Sequence, residues 1–140
     1  MEIAVSHGEI IDKHTILVIK CERIVDSAKL EHINKELRVL TASVSIIYKN
    51  VPDHVSLHRL AERLKAVNEQ LWDVEDVLRV HENNSDFGPG FIEKARSVYF
   101  LNDERAAIKK SINVLTKSIL QETKSYEDYS NGSNLSLIHI

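Results

Sequence analysis

Two long helical stretches place polar side chains beside their apolar seams, and these are the residues whose types and spacing could do chemistry. In the stretch 66–81 the positions that share one helix face are Asn68, Trp72, Glu75 and Arg79. In the stretch 95–110 the corresponding positions are Ala95, Tyr99, Asn102, Ala106 and Lys109. Charged and amide groups are costly in a helical core unless they pair with each other or contact a ligand. This polar stripe therefore indicates either a binding site or an internal ion-pair network.

Three arginines on these stretches, Arg79, Arg96 and Arg105, have the chemistry to hold an anionic group. The planar guanidinium donates paired hydrogen bonds to carboxylate or phosphate oxygens. The carboxylates that could neutralise these arginines instead are Glu75, Asp76 and Asp103. Because opposite charges are nearly equal in number along the two stretches, we favour internal neutralisation over a ligand clamp.

Two acidic pairs, Glu9 with Asp12 and Asp73 with Asp76, place carboxylates three residues apart on one helix face. The pattern resembles the E-x-x-E and E-x-x-D pairs with which an all-helical nucleotide pyrophosphohydrolase holds magnesium. Such spacing is also usual on solvated helices, so we expect no metal and no cofactor. The alternative is a magnesium-dependent hydrolase or transferase acting on a nucleotide or sugar phosphate. Its candidate metal ligands are Glu9, Asp12, Glu75, Asp76 and Asp103, and its phosphate contacts are Arg79, Arg105 and Lys109.

The histidines and the single tryptophan offer weaker signals. No histidine belongs to a catalytic triad or an H-E-x-x-H metal motif. His14 lies on the same stripe as Leu17 and Cys21, where a neutral, packed histidine is expected. His58 is predicted to lie at the surface. Trp72 is interpreted as a buried anchor, with a stacking platform for a ligand ring as the alternative.

Composition and charge exclude several classes of function. The chain has 140 residues and 43% hydrophobic residues, as expected for one ordinary domain. Its 18 basic and 21 acidic residues are interspersed, so no basic surface is expected that could bind nucleic acid. The lone Cys21 excludes an internal disulfide, and the first residues lack the pattern of a signal peptide. We expect a cytoplasmic protein that binds neither nucleic acid nor a membrane.

Capping signals divide the chain into four helices. Ser6 and Glu9 fit a capping box at the start of helix one, Asp26 caps helix two, and Asp53 caps helix three. For helix four the apolar repeat predicts a range from Pro89 to Lys124. Helix one is apolar around much of its girth and is expected at the centre. The fold is therefore all-α, a four-helix up-and-down antiparallel bundle or two long helical hairpins.

Helices two and three each carry an apolar seam, whose residues recur at alternating steps of three and four without interruption. These seams run from Leu30 to Ile47 and from Leu57 to Leu78. They could be buried within one chain or could pair between two chains. A structural, coiled-coil-like homodimer is therefore a further alternative.

The end of the chain differs in character from the rest. Residues 130–140 have no periodicity, so we expect a disordered tail after a single domain at 1–129. Residues 135–140 are what CTG TCT CTT ATA CAC ATC encodes, the mosaic end of a transposon used to fragment DNA for sequencing. We therefore expect 135–140 to be sequencing-adaptor read-through from a metagenomic assembly, with the native chain ending near or before Asn134.

Several ordered motifs resemble one bacterial and phage family of short uncharacterised proteins, catalogued as a domain of unknown function. The motifs are G-E-I-I-D-K at 8–13, I-K-C-E-R-I at 19–24, V-N-E-Q-L-W-D-V-E-D at 67–76, F-I-E-K-A-R-S-V-Y at 91–99, N-D-E-R-A-A-I-K at 102–109 and K-S-Y at 124–126. The sequence departs from the family pattern at His14 and Val18, where an apolar residue and a glutamate are usual. The resemblance implies no known activity. It implies a setting among genes for surface-polysaccharide synthesis and glycosyl transfer.

The stripe, the arginines and the matched motifs together define one candidate polar cluster. Its members are Glu9, Asp12, Lys13, Asn68, Trp72, Glu75, Asp76, Arg79, Arg96, Tyr99, Asn102, Asp103, Arg105 and Lys109. No nucleophile, base and orienting group accompany it, so we expect a binding or accessory module without catalysis of its own. Its partner would be a small anionic ligand, a sugar-nucleotide-related ligand or another protein.

Overall fold

Four α-helices make up the computed structural model, which describes residues 3–118. Their bounds are His7–Arg23 for α1, Ser27–Lys49 for α2, His54–Asn83 for α3 and Pro89–Leu115 for α4. The helices hold 84% of the described residues, and these residues contain no strand. The all-α fold predicted from the sequence is therefore confirmed. The predicted tail at 130–140, with its adaptor sequence at 135–140, lies outside the described residues.

The helices form two antiparallel hairpins, α1 with α2 and α3 with α4. Helix α1 packs against all three other helices, which confirms its predicted place at the centre. Among the described residues, α2 packs against α1 and has few contacts with α3 or α4. None of the helices that the structure describes has the length and apolarity needed to cross a lipid bilayer.

An apolar core joins α1, α3, α4 and the end of α2. Its most deeply buried members are Ile11, Leu57, Leu64, Ile108 and Ile112. Each such side chain stabilises the fold by about 1.5–3 kcal/mol relative to exposure. The predicted seam of α3 is buried within this chain at Leu57, Leu64, Val67 and Val74. In α2 only Ile33 and Ile47 of the predicted seam are fully buried, because this helix packs mainly on α1.

Side-chain caps begin three of the helices as the sequence predicts. Ser6 Oγ accepts a hydrogen bond from the Glu9 amide at 3.2 Å, and Asp53 Oδ1 accepts one from the Ser56 amide at 3.0 Å. Asp26 Oδ1 accepts from two amides in the first turn of α2. These caps satisfy amides that have no partner within their own helix, and each contributes about 1 kcal/mol.

The end of α4 differs from the prediction, which carried this helix to Lys124. The helix ends at Leu115, and Lys117 has a φ of 53°, in the left-handed region that glycine usually occupies. The Ser118 amide donates to the Asn113 carbonyl at 2.9 Å, which closes the helix end as a Schellman motif. The apolar repeat continues past this point in the sequence, so periodicity alone could not show the end.

Candidate functional site

The carboxylate of Asp12 lies at the centre of a buried hydrogen-bond network between α1, α3 and α4. Arg105 donates to it from Nε to Oδ1 at 2.9 Å and from Nη2 to Oδ2 at 2.5 Å. Asn68 Nδ2 donates to Asp12 Oδ1 at 3.0 Å and to Thr15 Oγ1 at 2.9 Å. The Thr15 hydroxyl donates in turn to the Asp12 carbonyl at 2.7 Å. Asp12 is only 2% exposed, so its charge is paired inside the protein.

A second buried ion pair lies one turn away, where the Glu9 carboxylate contacts Lys109 Nζ. Both side chains are buried. Glu9 and Asp12 follow one face of α1, while Lys109 and Arg105 follow the facing side of the antiparallel α4. Removing one partner of a buried pair leaves an uncompensated charge, at a cost of about 3–5 kcal/mol. We call Glu9, Asp12, Asn68, Arg105 and Lys109 the buried network.

The first turn of α1 is also bonded to the end of α4. The His7 amide donates to Ser118 Oγ at 3.2 Å, and the Gly8 amide donates to Asn113 Oδ1 at 2.7 Å. The third amide of this helix is capped locally, as described above. A helix N-terminus binds anions through amides that have no other partner. The first amides of α1 have partners, so this helix end holds α4 in place of a ligand.

The contacts around the buried network also involve residues for which the sequence predicted no role. These are Gly8, Thr15, Asn113 and Ser118. For Asn113, the sequence did contain a pattern that could have predicted its place. On α4, Arg105, Lys109 and Asn113 recur at steps of four, so the stripe could have been extended by one turn. The hydroxyl of Ser118 becomes relevant only through the turn that follows α4, which the repeat does not predict.

Most of the remaining members of the polar cluster lie away from the buried network. Lys13 Nζ lies 4.0 Å from a Glu36 carboxylate oxygen, on the side of α1 that faces α2. Arg79 and Glu75 form a pair at 3.7 Å within α3, and both are exposed. The guanidinium carbon of Arg23 lies over the Trp72 ring, 5.7 Å from the ring centroid. The exposed members on α3 and α4 are Asp76, Arg96, Tyr99, Asn102 and Asp103. The polar cluster is therefore a buried network plus groups exposed at the surface.

The carboxylates do not gather as the magnesium alternative requires. Within residues 3–118 there is no group of three or more histidine, cysteine, aspartate or glutamate side chains arranged to hold a metal ion. Asp12 and Glu9 each contact a cationic side chain, whereas Glu75 and Asp76 are exposed on α3.

A cavity of about 300 Å³ opens between α2 and α3, with α1 as its floor. Its polar lining consists of His14, Thr15, Tyr48, His58, Glu62 and Lys65. Its apolar lining includes Val18, Val44 and Ala61. We call this cavity the α2–α3 cleft. It exists because α2 packs on α1 and leaves a gap beside α3. A concave surface with a few convergent polar groups is the usual form of a small-molecule site.

His14 enters the cleft as a neutral ring with one nitrogen engaged. The hydroxyl of Thr41 donates its single proton to the Leu37 carbonyl at 2.7 Å. It therefore accepts from His14 Nε2–H, at 3.3 Å, and Nδ1 is left as the acceptor of the neutral ring. Burial lowers the pKa of His14. The packed, neutral state expected from the sequence agrees with this geometry, but the residue also lines a cavity.

The other titratable groups make the cleft chemically mixed. Burial, and then the charge of Glu62, raise the pKa of Tyr48, so its hydroxyl stays protonated. Lys65 Nζ lies 3.1 Å from a Glu22 carboxylate oxygen, and the negative charge of Glu22 balances the positive charge of the ammonium. Hydrogen-bond donors and acceptors thus occur together, with little excess of positive charge.

Comparison with known proteins identifies a family for this chain, but no individual curated protein or solved structure that is similar to it. No curated protein and no solved structure matches the chain. One family model matches residues 1–136, which is nearly the whole length. The chain belongs to that family, described as the Family of unknown function (DUF6165).

Proposed function

We propose that this protein is a non-catalytic binding module, and that the α2–α3 cleft is its ligand site. The observation that carries the proposal is the convergence of polar side chains from three helices on one cavity. The buried network has the opposite character, because its carboxylates contact cationic side chains inside the fold. A ligand at that network would have to displace ion pairs, whereas a ligand in the cleft would displace water.

The lining of the cleft suits a small polyhydroxylated ligand. A volume of about 300 Å³ is at the lower end of ligand sites, which indicates a molecule of about one sugar ring. Sugar hydroxyls both donate and accept, which matches the Glu62 carboxylate beside the Tyr48 hydroxyl and the His14 and His58 rings. The apolar faces of Val18 and Val44 suit the C–H face of a sugar ring.

The charge of the cleft favours a neutral sugar over a free phosphate. Lys65 is paired with Glu22, and Glu62 adds negative charge to the lining. The gene setting implied by the family resemblance, surface-polysaccharide synthesis and glycosyl transfer, supports a sugar ligand in the cytoplasm of a bacterial host. We propose that the module binds the sugar unit of a monosaccharide or sugar nucleotide and presents it to a partner enzyme.

The binding experiment is a titration followed by two-dimensional NMR of the isotope-labelled full chain. The probes are hexoses, amino sugars and nucleoside diphosphate sugars, added one at a time. We expect amide shifts at Val44, His58 and Ala61. Glu62→Gln should weaken binding at least about tenfold, or about 1.4 kcal/mol. Glu31→Gln, an exposed position on α2 outside the cleft, is the matched control and should bind as the unaltered chain does.

Two results would contradict the proposal. One is a full panel that shifts no cleft amide, and the other is binding that Glu62→Gln leaves unchanged. Hydrolysis of common nucleotides by the purified protein with magnesium, at enzyme-like rates, would favour the hydrolase alternative.

A further inference from the structure

The side of α4 that turns away from α3 carries exposed apolar side chains around two charged residues. Ile92 is 53% exposed and Phe100 is 66% exposed. The half-buried residues Phe91, Ala95 and Val98 lie on the opposite side, and the Phe91 ring contacts His81 of α3 at a centroid distance of 5.9 Å. The outer face consists of Pro89, Ile92, Glu93, Arg96, Ser97 and Phe100.

The two charges on this outer face form no ion pair with any other residue of the segment 3–118. Neither the Glu93 carboxylate nor the Arg96 guanidinium forms an ion pair within the part of the chain that the structure describes. The Ser97 hydroxyl is satisfied locally, since it donates to the Lys94 carbonyl at 2.6 Å. The outer face thus combines two opposite charges, unpaired among the described residues, with apolar surface that residues 3–118 leave exposed.

The order of residues on the outer face is self-complementary. When two copies of α4 lie antiparallel and are related by a twofold axis between positions 94 and 95, residues whose numbers add to 189 lie at the same height along the two helices. Glu93 then meets Arg96 of the second copy, and the same ion pair forms again by symmetry. Phe100 meets Pro89 along the middle of the face, whereas Ile92 and Ser97, about 140° apart around the helix, line its two opposite edges.

We infer that the outer face of α4 is a homodimer interface, in which two copies of this chain pair antiparallel through reciprocal Glu93–Arg96 contacts. A different protein would have to reproduce the same charge order, whereas a second copy does so by necessity. The face spans twelve residues, or about 18 Å of helix. Because an interface of this length is small, we expect a dimer that dissociates on dilution.

Charge exchange tests this interface. Sedimentation velocity of the full chain at several concentrations should show a monomer that becomes a dimer as concentration rises. Glu93→Arg and Arg96→Glu each place like charges at both symmetric contacts, so each should weaken dimerisation at least tenfold, about 1.4 kcal/mol. The double variant restores opposite charges and should dimerise again. An equimolar mixture of the two single variants should form a heterodimer.

Matched controls change the same charges elsewhere. Lys94→Glu lies on the same helix turn but off the outer face, and Glu31→Arg lies on α2. Both should dimerise as the unaltered chain does. A chain that stays monomeric at every concentration overturns the proposal. So does a dimer that survives both single reversals, because its interface then lies elsewhere, for example on the seams of α2 and α3.

Discussion

Gly8 of α1 lies so close to α4 that a Cβ atom added to it would stand 2.6 Å from the carbonyl oxygen of Lys109. The same Cβ would lie 3.0 Å from Asn113 Oδ1, the atom that accepts the Gly8 amide hydrogen. The nearer obstacle is backbone, so no side-chain rotation can relieve it. The missing side chain of Gly8 therefore sets the spacing at which Glu9 reaches Lys109.

Gly8→Ala should destabilise the fold, because α1 and α4 must move apart to admit the methyl group. We expect a loss of about 1–3 kcal/mol in the free energy of unfolding, measured with urea. Gly90→Ala is the matched control, since a Cβ there would stand an ordinary 3.5 Å from His81 Cε1. That variant should be neutral or gain up to about 1 kcal/mol of helix propensity. Equal unfolding curves for the two variants would contradict this account of Gly8.

Asn113→Ala should destabilise the fold by leaving the Gly8 amide without its acceptor in a buried place. The expected loss is about 1–3 kcal/mol, the usual cost of an unsatisfied buried donor. Ser111→Ala is the comparison, because Ser111 is exposed and its hydroxyl donates to the Ala107 carbonyl of its own helix. If the two variants lose the same free energy of unfolding, the Asn113 side chain does not hold the start of α1.

The helices and their starts could be predicted from the sequence because local chemistry determines them. Ser6, Asp26 and Asp53 cap helices through amides only two or three residues away, and the apolar repeat marks the buried side of α3. The end of α4 could not be predicted in this way. It depends on a left-handed Lys117 and on a bond between Ser118 and the distant His7.

The polar cluster was predicted only in part, for a similar reason. The repeat places Arg105 and Lys109 on one side of α4, and the structure pairs them with Asp12 and Glu9. The repeat cannot show that, on the helix face of Asn68, Trp72 contacts Arg23 while Glu75 and Arg79 are exposed. The α2–α3 cleft was missed because it is a gap between helices, and gaps depend on how helices are arranged rather than on any one pattern.

Arg105→Met should be strongly destabilising, since it removes the charge that faces a buried carboxylate. Among the described residues, Asp12 would keep the bond from Asn68, and the expected loss is about 3–5 kcal/mol. Replacing Asp12 by Asn in the same chain should recover part of that loss, because a neutral amide needs no counter-charge. The measurement is a double-mutant cycle by urea unfolding, with an expected coupling of about 0.5–3 kcal/mol.

The exposed pair in α3 provides the control for that cycle. Arg79 Nη2 lies 3.7 Å from a Glu75 carboxylate oxygen, and both side chains are in solvent. Arg79→Met should change the free energy of unfolding by no more than about 1 kcal/mol. Similar losses at Arg79 and Arg105 would show that burial does not distinguish the two ion pairs.

Acid should weaken the fold through His7 and His14. The Thr116 hydroxyl donates to the Ile112 carbonyl at 2.8 Å, so it accepts from His7 Nδ1–H, also at 2.8 Å. Burial lowers the pKa of both histidines in the folded state. The unfolded chain, with an ordinary histidine pKa of about 6.5, therefore binds protons first as the pH falls. Stability from these rings is complete above that pKa and is lost as the pH falls through the lower folded values.

The measurement is the urea midpoint between about pH 7 and about pH 5, a window chosen to lie above the carboxylate range. Hydrogen bonds from Ser56 lower the pKa of Asp53, so that carboxylate stays ionised throughout the window. We expect the midpoint to fall toward the acid end, and the double variant His7→Gln with His14→Gln to flatten the profile. His32→Gln, at an exposed position on α2, should keep the slope of the unaltered chain. A double variant with that same slope would mean that His7 and His14 do not set the acid response, because their removal leaves the difference in proton binding unchanged.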